Sequence, residues 1–419
     1  MTDTAAPARE ISRVEFIILV AALMALNALA IDVMLPALPY MGEALGVSHE
    51  NERQFVVGAY MLGFGIAQLV FGPITDRFGR RAPLFVGLAI YLVCAFAATF
   101  APPFGILLAL RFIQGLGAAG TRVIATAVVR DKFSGREMAE VMSLTFMIFM
   151  AIPIVAPGIG QVILLSGPWQ NIFIFMGGLA TVIGLWALFR LPETMHPEYR
   201  RPLSVKSVID GFRIVVTNRV AFCYGLAGTF LFAAMFGFIS ASQQIFVEIY
   251  GLGPYFPVAF AVMAGFIAVA QFINSRVVKR VGMRRIAHSA ILVYLAGAIV
   301  LLALALMGPV PFPVFFINLL IIQFVFGWAA SNMNSLSMEP LGRVAGTAAS
   351  VFGFIQTVGG ALIGTYIGQH YDGTLVPNAA GYAAMGTLVL VCVLIAENGK
   401  LFGVGKEYAH AEPAEPGGH

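Results

Sequence analysis

Long apolar stretches separated by short polar ones run the length of the chain, without the period-2 alternation of a half-buried strand. A helix needs about 20 predominantly apolar residues to cross the hydrocarbon of a bilayer, where irregular backbone cannot face lipid. Counting runs of that length predicts twelve spans, near residues 14–40, 54–73, 83–101, 104–129, 138–165, 169–190, 219–248, 255–275, 286–307, 312–335, 344–370 and 379–397. The longest connection, residues 191–218, contains PETMHPEYRRPLSVKSVIDGF and divides the chain into two sets of six spans. Within it Val208, Ile209, Phe212, Val215 and Val216 recur at helical spacing. Two readings stand there: an amphipathic helix on the inner membrane surface, or a plain flexible linker. The expected organisation is a tail at 1–13, a six-helix bundle at 14–190, the linker at 191–218, a second bundle at 219–397 and a tail at 398–419. The opening MTDTAAPAREISRVE leads into a run too long for a signal-peptide core, so it is expected to stay attached. EYAHAEPAEPGGH, after Lys406, is too polar and Pro-rich to fold.

Composition turns this pattern into a class. Of the 419 residues, 59% are hydrophobic and 11% charged, against roughly 45–50% and about 25% in soluble domains. With a mean hydropathy of +0.88, the surplus apolar surface must face lipid, which excludes a water-soluble enzyme. The 45 Gly and 22 Pro lie within apolar runs, where membrane helices use them for close packing and kinks. Charge sets the orientation. Of the 25 Lys and Arg, 22 fall in, or at the edge of, the termini and the loops that follow even-numbered spans, and only Arg53 falls in an opposite loop. By the positive-inside rule both termini are cytoplasmic. The sequence pI near 9.0 is therefore topological and implies no nucleic-acid partner.

Several chemistries find no support. Cys94, Cys223 and Cys392 are far apart, the six His are scattered, and no CxxC or HExxH occurs, so neither a disulfide nor a metal is expected. GLGAAG at 115–120 formally matches GxGxxG, but lies within an apolar span rather than at a strand-to-helix turn. Its small residues, like Gly360, Gly364 and Gly368, suit close helix approach. No GxxxxGK[ST] loop is present, so no nucleotide cofactor is implied and an ion gradient remains as the energy source.

Charged residues inside a span are costly and are functional candidates by default. Asp32 lies about seven residues before Pro39 in span 1, and Arg111 about seven residues into span 4; at about 1.5 Å per residue they share a depth and can pair. A carboxyl group removed from water favours its neutral form and a neighbouring guanidinium favours the anion, so a substrate can tip the balance. Asp32 is thus the expected proton carrier and Arg111 its partner; the alternative is a static ion pair holding spans 1 and 4 together. Arg122, 11 residues on, returns to the stripe of Arg111, Gln114 and Ala118, and its stem can snorkel to water. Glu248, at the outer end of span 7, receives no role.

Four segments together resemble the major facilitator superfamily. The loop between spans 2 and 3 carries its signature as Gly72, Asp76, Arg77, Gly79, Arg80 and Arg81. The resemblance implies a latch against neighbouring helix ends on the inner face that helps hold the outward-open state. A weaker copy, SRVVKRVGMR at 275–284, has Lys279 in place of the acid, which predicts a degraded second latch. RFIQGLGAAG with VVRDKF at 128–133 resembles the family's second motif, whose Arg, implicated in proton transfer, is Arg111 by position. APGIG at 156–160 is similar to the antiporter motif, with Ala156 at its first Gly position; Pro153, Pro157, Gly158 and Gly160 are its expected bend. DVMLPALP at 32–39, VVRDKF and EPLGRVAGTAAS at 339–350 resemble the bicyclomycin and chloramphenicol resistance group of twelve-span drug:proton antiporters. Gln243, and Ser331 before Asn332, depart from that group's prolines.

The fold class that follows is an all-α membrane protein of twelve transmembrane helices in two pseudo-symmetric six-helix bundles. Met24, Asn27, Asp32, Gln114, Met147, Phe236, Ile239 and Gln243 are the candidate lining of a cavity between them; a Met- and Phe-containing wall suits lipophilic compounds. The expected function is export of small amphipathic drugs or toxic metabolites in exchange for protons, in a bacterial inner membrane. A proton-coupled uptake symporter on the same fold is the alternative, and no enzymatic constellation is visible. The expected partners are a small-molecule substrate, protons and the lipid bilayer, with the chain acting as a monomer.

Overall fold

A computed structural model describes residues 11–100, 102–195, 198 and 205–403; the first ten residues and the tail after Lys406 lie outside them. Among the described residues twelve helical segments are long and apolar enough to cross a membrane. In hydrocarbon every backbone polar group must be satisfied within its own segment, and only a helix does that for a single chain crossing.

Span 1 consists of α1 (Arg13–Asp32), a 3₁₀ turn at Leu35–Ala37 and α2 (Leu38–Ala44), so it extends past the predicted end at residue 40. Pro36 lies at the start of that turn, and its missing N–H explains why the α-helix stops just before it. Span 2 is α3 (Phe55–Phe78), span 3 α4 (Arg81–Ala98), span 4 α5 (Phe104–Lys132), span 5 α6 (Gly135–Ser166) and span 6 α7 (Gln170–Arg190). The linker ends in α8 (Val205–Thr217), the helical reading of its spaced apolar residues. Span 7 is α9 (Arg219–Gln243) followed by a π turn at Gln244–Ile249, span 8 α10 (Phe256–Val281), span 9 α11 (Met283–Met307) and span 10 α12 (Phe312–Met338). Span 11 is α13 (Ala345–Phe354), a second π turn at Ile355–Gly359 and α14 (Gly360–Gln369); span 12 is α15 (Val376–Ala396).

Polar caps begin some of these helices and glycines end others. Ser12 caps α1 by accepting from the Glu15 N–H at 3.2 Å, and Asn218 caps α9 through Ala221 at 2.9 Å. Gly79 and Gly282, at φ 85° and 89°, end the helices of spans 2 and 8 at matching points of the two bundles.

Twelve crossings put both ends of the described chain on one face, the terminal face; the other is the far face. In the first bundle α5 packs on α3 and α4, and α1 on α6; in the second α9 packs on α14 and α15, and α11 on α12. Glycines allow the closest of these approaches: a Cβ on Gly63 would overlap the Phe112 carbonyl, and one on Gly115 the Tyr60 carbonyl. The bundles meet where α3 runs along span 11 and where α6 runs along α10. At the terminal face Phe212 and Val215 of α8 join Val351 and Phe352 of α13 and Leu69 of α3 in one apolar cluster. The linker helix therefore lies across the seam between the bundles. Large apolar side chains such as Val93, Val182 and Phe189 remain 68%, 63% and 78% exposed, which suits lipid and would be a liability in water.

Candidate functional site

Arg111 is fully buried in the first bundle. Its Nη2 donates to the Ala30 carbonyl at 2.9 Å, its Nε to the Val56 carbonyl at 3.3 Å and its Nη1 to Gln114 Oε1 at 2.6 Å. The guanidinium also lies 4.4 Å from the centre of the Tyr60 ring, a cation–π distance. Tyr60 in turn donates to Asn27 Oδ1 at 3.0 Å. Spans 1, 2 and 4 are thus knit by one side chain whose five donors fork in a plane.

Asp32 is the last residue of α1 and is 5% exposed. The expected Asp32–Arg111 pair is not formed: Arg111 reaches span 1 two residues earlier and takes the Ala30 carbonyl instead. Among the described residues Asp32 has no hydrogen bond or ion pair. Carbonyls freed near the end of α1, where the helix gives way to its proline turn, compete for the guanidinium. Just beyond Asp32, Gly160 of α6 presses on span 1, so closely that a Cβ there would overlap the Val33 carbonyl and approach Pro36. α6 runs as one helix through Pro153 and Pro157; Gly160 faces span 1, while Gly158 has open space where a Cβ would stand.

The other proposed lining residues do not assemble in this conformation. Met24 is buried in the helix packing of span 1, Asn27 is held by Tyr60, and Gln114 is held by Arg111 with its Nε2 unpartnered. Phe236 packs between spans 7 and 11, stacked on Phe232 and against Gly364. Ile239 is half-buried. Met147 is 63% exposed, on the stripe of α6 that carries Val155 and Val162, which nearer the far face is turned toward α10 of the second bundle. Gln243 is buried with an unpartnered Oε1, and it is the next residue, Gln244, that reaches the other bundle.

That reach belongs to a seal at the far face. Gln54 donates to Gln244 Oε1 at 2.6 Å and to the Gly368 carbonyl at 3.1 Å; Gln244 donates to Asn51 Oδ1 at 2.8 Å. Asn51 donates to the Gln369 and Tyr371 carbonyls, at 3.0 and 2.8 Å, and Gln369 donates back to the Asn51 carbonyl at 2.6 Å. Arg53, 8% exposed, forms an ion pair with Glu248. Glu248, which sequence reasoning left without a role, therefore pairs with the single Lys or Arg of the far loops. The π turn at Gln244–Ile249 is what places Gln244 and Glu248 on the seam. With these contacts made, the far mouth is closed.

At the terminal face the signature loop is organised by partners outside it. Arg80 grips Asp131 with Nε at 2.7 Å and Nη2 at 3.2 Å, and donates to Asp76 at 2.9 Å. Glu193, after span 6, accepts the backbone N–H groups of Arg80 and Arg81 at 2.9 and 3.0 Å, at the start of α4, a helix N-terminus that favours an anion. Partial burial works against ionisation of Glu193, but the N–H groups of Arg80, Arg81, Met195 and Thr194 outweigh it and hold the carboxyl below its usual range. Gly79 is required twice, for its positive φ and because a Cβ there would stand 2.7 Å from Glu193 Oε2. Arg81 also donates to the Leu188 carbonyl at 2.8 Å. Arg77 stacks on Phe78, and Gly72 faces Ser350 of span 11.

The second bundle keeps a cluster of the same plan despite Lys279. Arg284 donates to Glu397 at 2.9 Å and to Glu339 at 2.8 Å, and Tyr224 donates to Glu397 at 2.7 Å. The side chain of an arginine after the loop glycine thus binds one acid at the end of the fourth span of the bundle and another at the end of the sixth, the places of Asp131 and Glu193 in the first bundle, where backbone N–H groups hold Glu193. Asp131, Glu193, Glu339 and Glu397 share one sequence signal, an acid in the last turn of a span or just past its end.

Two pseudo-symmetric bundles of six membrane helices, a glycine-turned charged loop after the second span and a seal between the bundles define a membrane transporter, not an enzyme. Residues 20–364 match the family described as Major Facilitator Superfamily, and the chain belongs to it. The chain is 29% identical over 388 residues to a bicyclomycin resistance protein homolog of Haemophilus influenzae, covering 90% of this chain and 94% of that one. It is 30% identical over 346 residues to the multidrug resistance protein MdtL of Klebsiella pneumoniae, covering 81% and 85%, and 28% identical over 401 residues to the MFS-type transporter YdgK of Bacillus subtilis, covering 94% and 96%. Among solved structures it is similar to the xylose transporter XylE of E. coli in a partially occluded inward-open conformation, with a TM-score of 0.72 at 12% identity over 92% of this chain and 97% of that one. That likeness concerns the fold alone.

Proposed function

We propose that this transporter is a drug:proton antiporter of a bacterial inner membrane, with both termini cytoplasmic and the far face outside. It exports small amphipathic compounds, antibiotics or toxic metabolites, and Asp32 carries the proton. The observation that carries this reading is Asp32 itself, a 5%-exposed carboxyl group at the end of α1 with no charged partner among the described residues. It stands next to Val33, whose carbonyl Gly160 of the antiporter-like segment approaches closely. A static ion pair would show Asp32 on Arg111; the carbonyl contacts of Arg111 leave Asp32 available to a proton or a substrate instead. The drug-resistance names of the relatives support the substrate class.

In this mechanism the sealed far mouth keeps Asp32 from the outside while substrate enters from the cytoplasm. Binding favours release of the Asp32 proton inward, the bundles rock, and the opened far mouth exposes Asp32 to reprotonation as substrate leaves. One proton moving through about 100 mV supplies roughly 2.3 kcal/mol, which sustains a roughly fiftyfold gradient of a neutral compound. Proton release on adding chloramphenicol or related drugs to the purified protein in detergent tests it. Release by the parent and its loss in Asp32→Asn is expected. Release that persists in the variant would place coupling elsewhere, and no release with any drug would overturn antiport.

A further inference from the structure

Between α6 and α10, near the far face, lies a groove of about 780 Å³. Val155, Gly158 and Val162 form one wall, from the first bundle, and Pro257, Val258 and Ala261 the other, from the second. It opens away from both bundle cores: Val162 and Val258 are 65% and 60% exposed, and nothing stands within 4 Å of a Cβ placed on Gly158. Every lining residue is apolar, so water there would find no hydrogen-bond partners, and an unfilled groove would forfeit dispersion contacts along both walls.

Length and position identify the occupant. The groove follows α6 from Ile154 to Ile163, a rise of about 15 Å, which matches one leaflet of a hydrocarbon core about 30 Å thick. At its far-face end Tyr255, 71% exposed, closes the turn that leads into α10, an amphipathic ring at the level where lipid headgroups lie. We infer that this groove is a binding site for one acyl chain of a phospholipid in the far-face leaflet, standing as a wedge between the two bundles. Because each bundle supplies one wall, rocking that opens the far mouth changes the width of the site, and the bound chain stabilises the conformation whose groove it fills. The inference rests on membrane embedding and not on drug antiport, so either can fail without the other.

The test uses the full-length protein in nanodiscs containing phosphatidylethanolamine with a diazirine on its acyl chain. After illumination, cross-linked peptides should concentrate on residues 154–163 and 257–262, well above peptides carrying the equally exposed Val93 or Val182. An even spread over the lipid-facing surface would overturn the proposal, and this mapping needs no variant. Ala261→Phe should abolish the groove cross-link while leaving the weak labelling of other faces; a cross-link that survives it would also overturn the proposal. Displacement of the cross-link by added chloramphenicol would overturn it in favour of a substrate site.

Discussion

At the scale of single residues, a buried guanidinium is stable only when its donors are matched, and Arg111 achieves this with carbonyls and a glutamine rather than a carboxylate. Lysine cannot reproduce the fork, since its ammonium is a point charge on a flexible stem. Arg111→Lys is expected to leave a carbonyl of Ala30 or Val56 unmatched at a cost on the order of 1–3 kcal/mol, read as a lower Tm in detergent. If Tm is unchanged, the carbonyl contacts do not hold spans 1, 2 and 4 together. Asp32 and Arg111 could both be singled out from sequence, because charges are conspicuous in apolar runs. Their separation could not, because it turns on which carbonyls the break in span 1 leaves exposed.

At the scale of elements, helix ends carry the chemistry. Span lengths were legible, as were the glycines of the signature loop, yet the acids that organise that loop come from distant ends of spans 4 and 6. Glu193 makes the pH dependence of this junction testable. Its folded-state proton affinity is held below the ordinary carboxylate range by N–H groups at the start of α4, so its contribution is complete above the unfolded value of about 4.3 and is lost as pH falls through the lower folded value. Glu193→Gln should therefore lower Tm at pH 7, and the gap to the parent should close as the pH is taken below about 4. A gap that persists in acid would show that the effect is not one of charge. Helical spacing in the linker gave two readings, and α8 settled on the helical one because Phe212 and Val215 find an apolar seat across the seam.

At the scale of the whole molecule, function depends on contacts that join one bundle to the other, and the far-face seal is their clearest expression. Removing one partner of the partly exposed Arg53–Glu248 pair should cost about 1–2 kcal/mol of closure, a factor of roughly 5–30. A cysteine placed at the buried Ser240, in a background without the native cysteines, should then react correspondingly faster with an impermeant maleimide in Glu248→Gln. An unchanged rate would remove the pair from the seal.

Local physics was enough to determine twelve spans, their punctuation, the charge asymmetry and the conspicuous Asp32 and Arg111, because the bilayer imposes length and hydropathy on each segment independently. Which carboxyl stands alone, which acids grip Arg80 and Arg284, how Gln54 and Gln244 meet, and the groove between α6 and α10 were decided only by tertiary structure. Each of these joins residues tens to hundreds of positions apart, and their pairing depends on helix rotation and on glycine-permitted approach, which no single segment encodes.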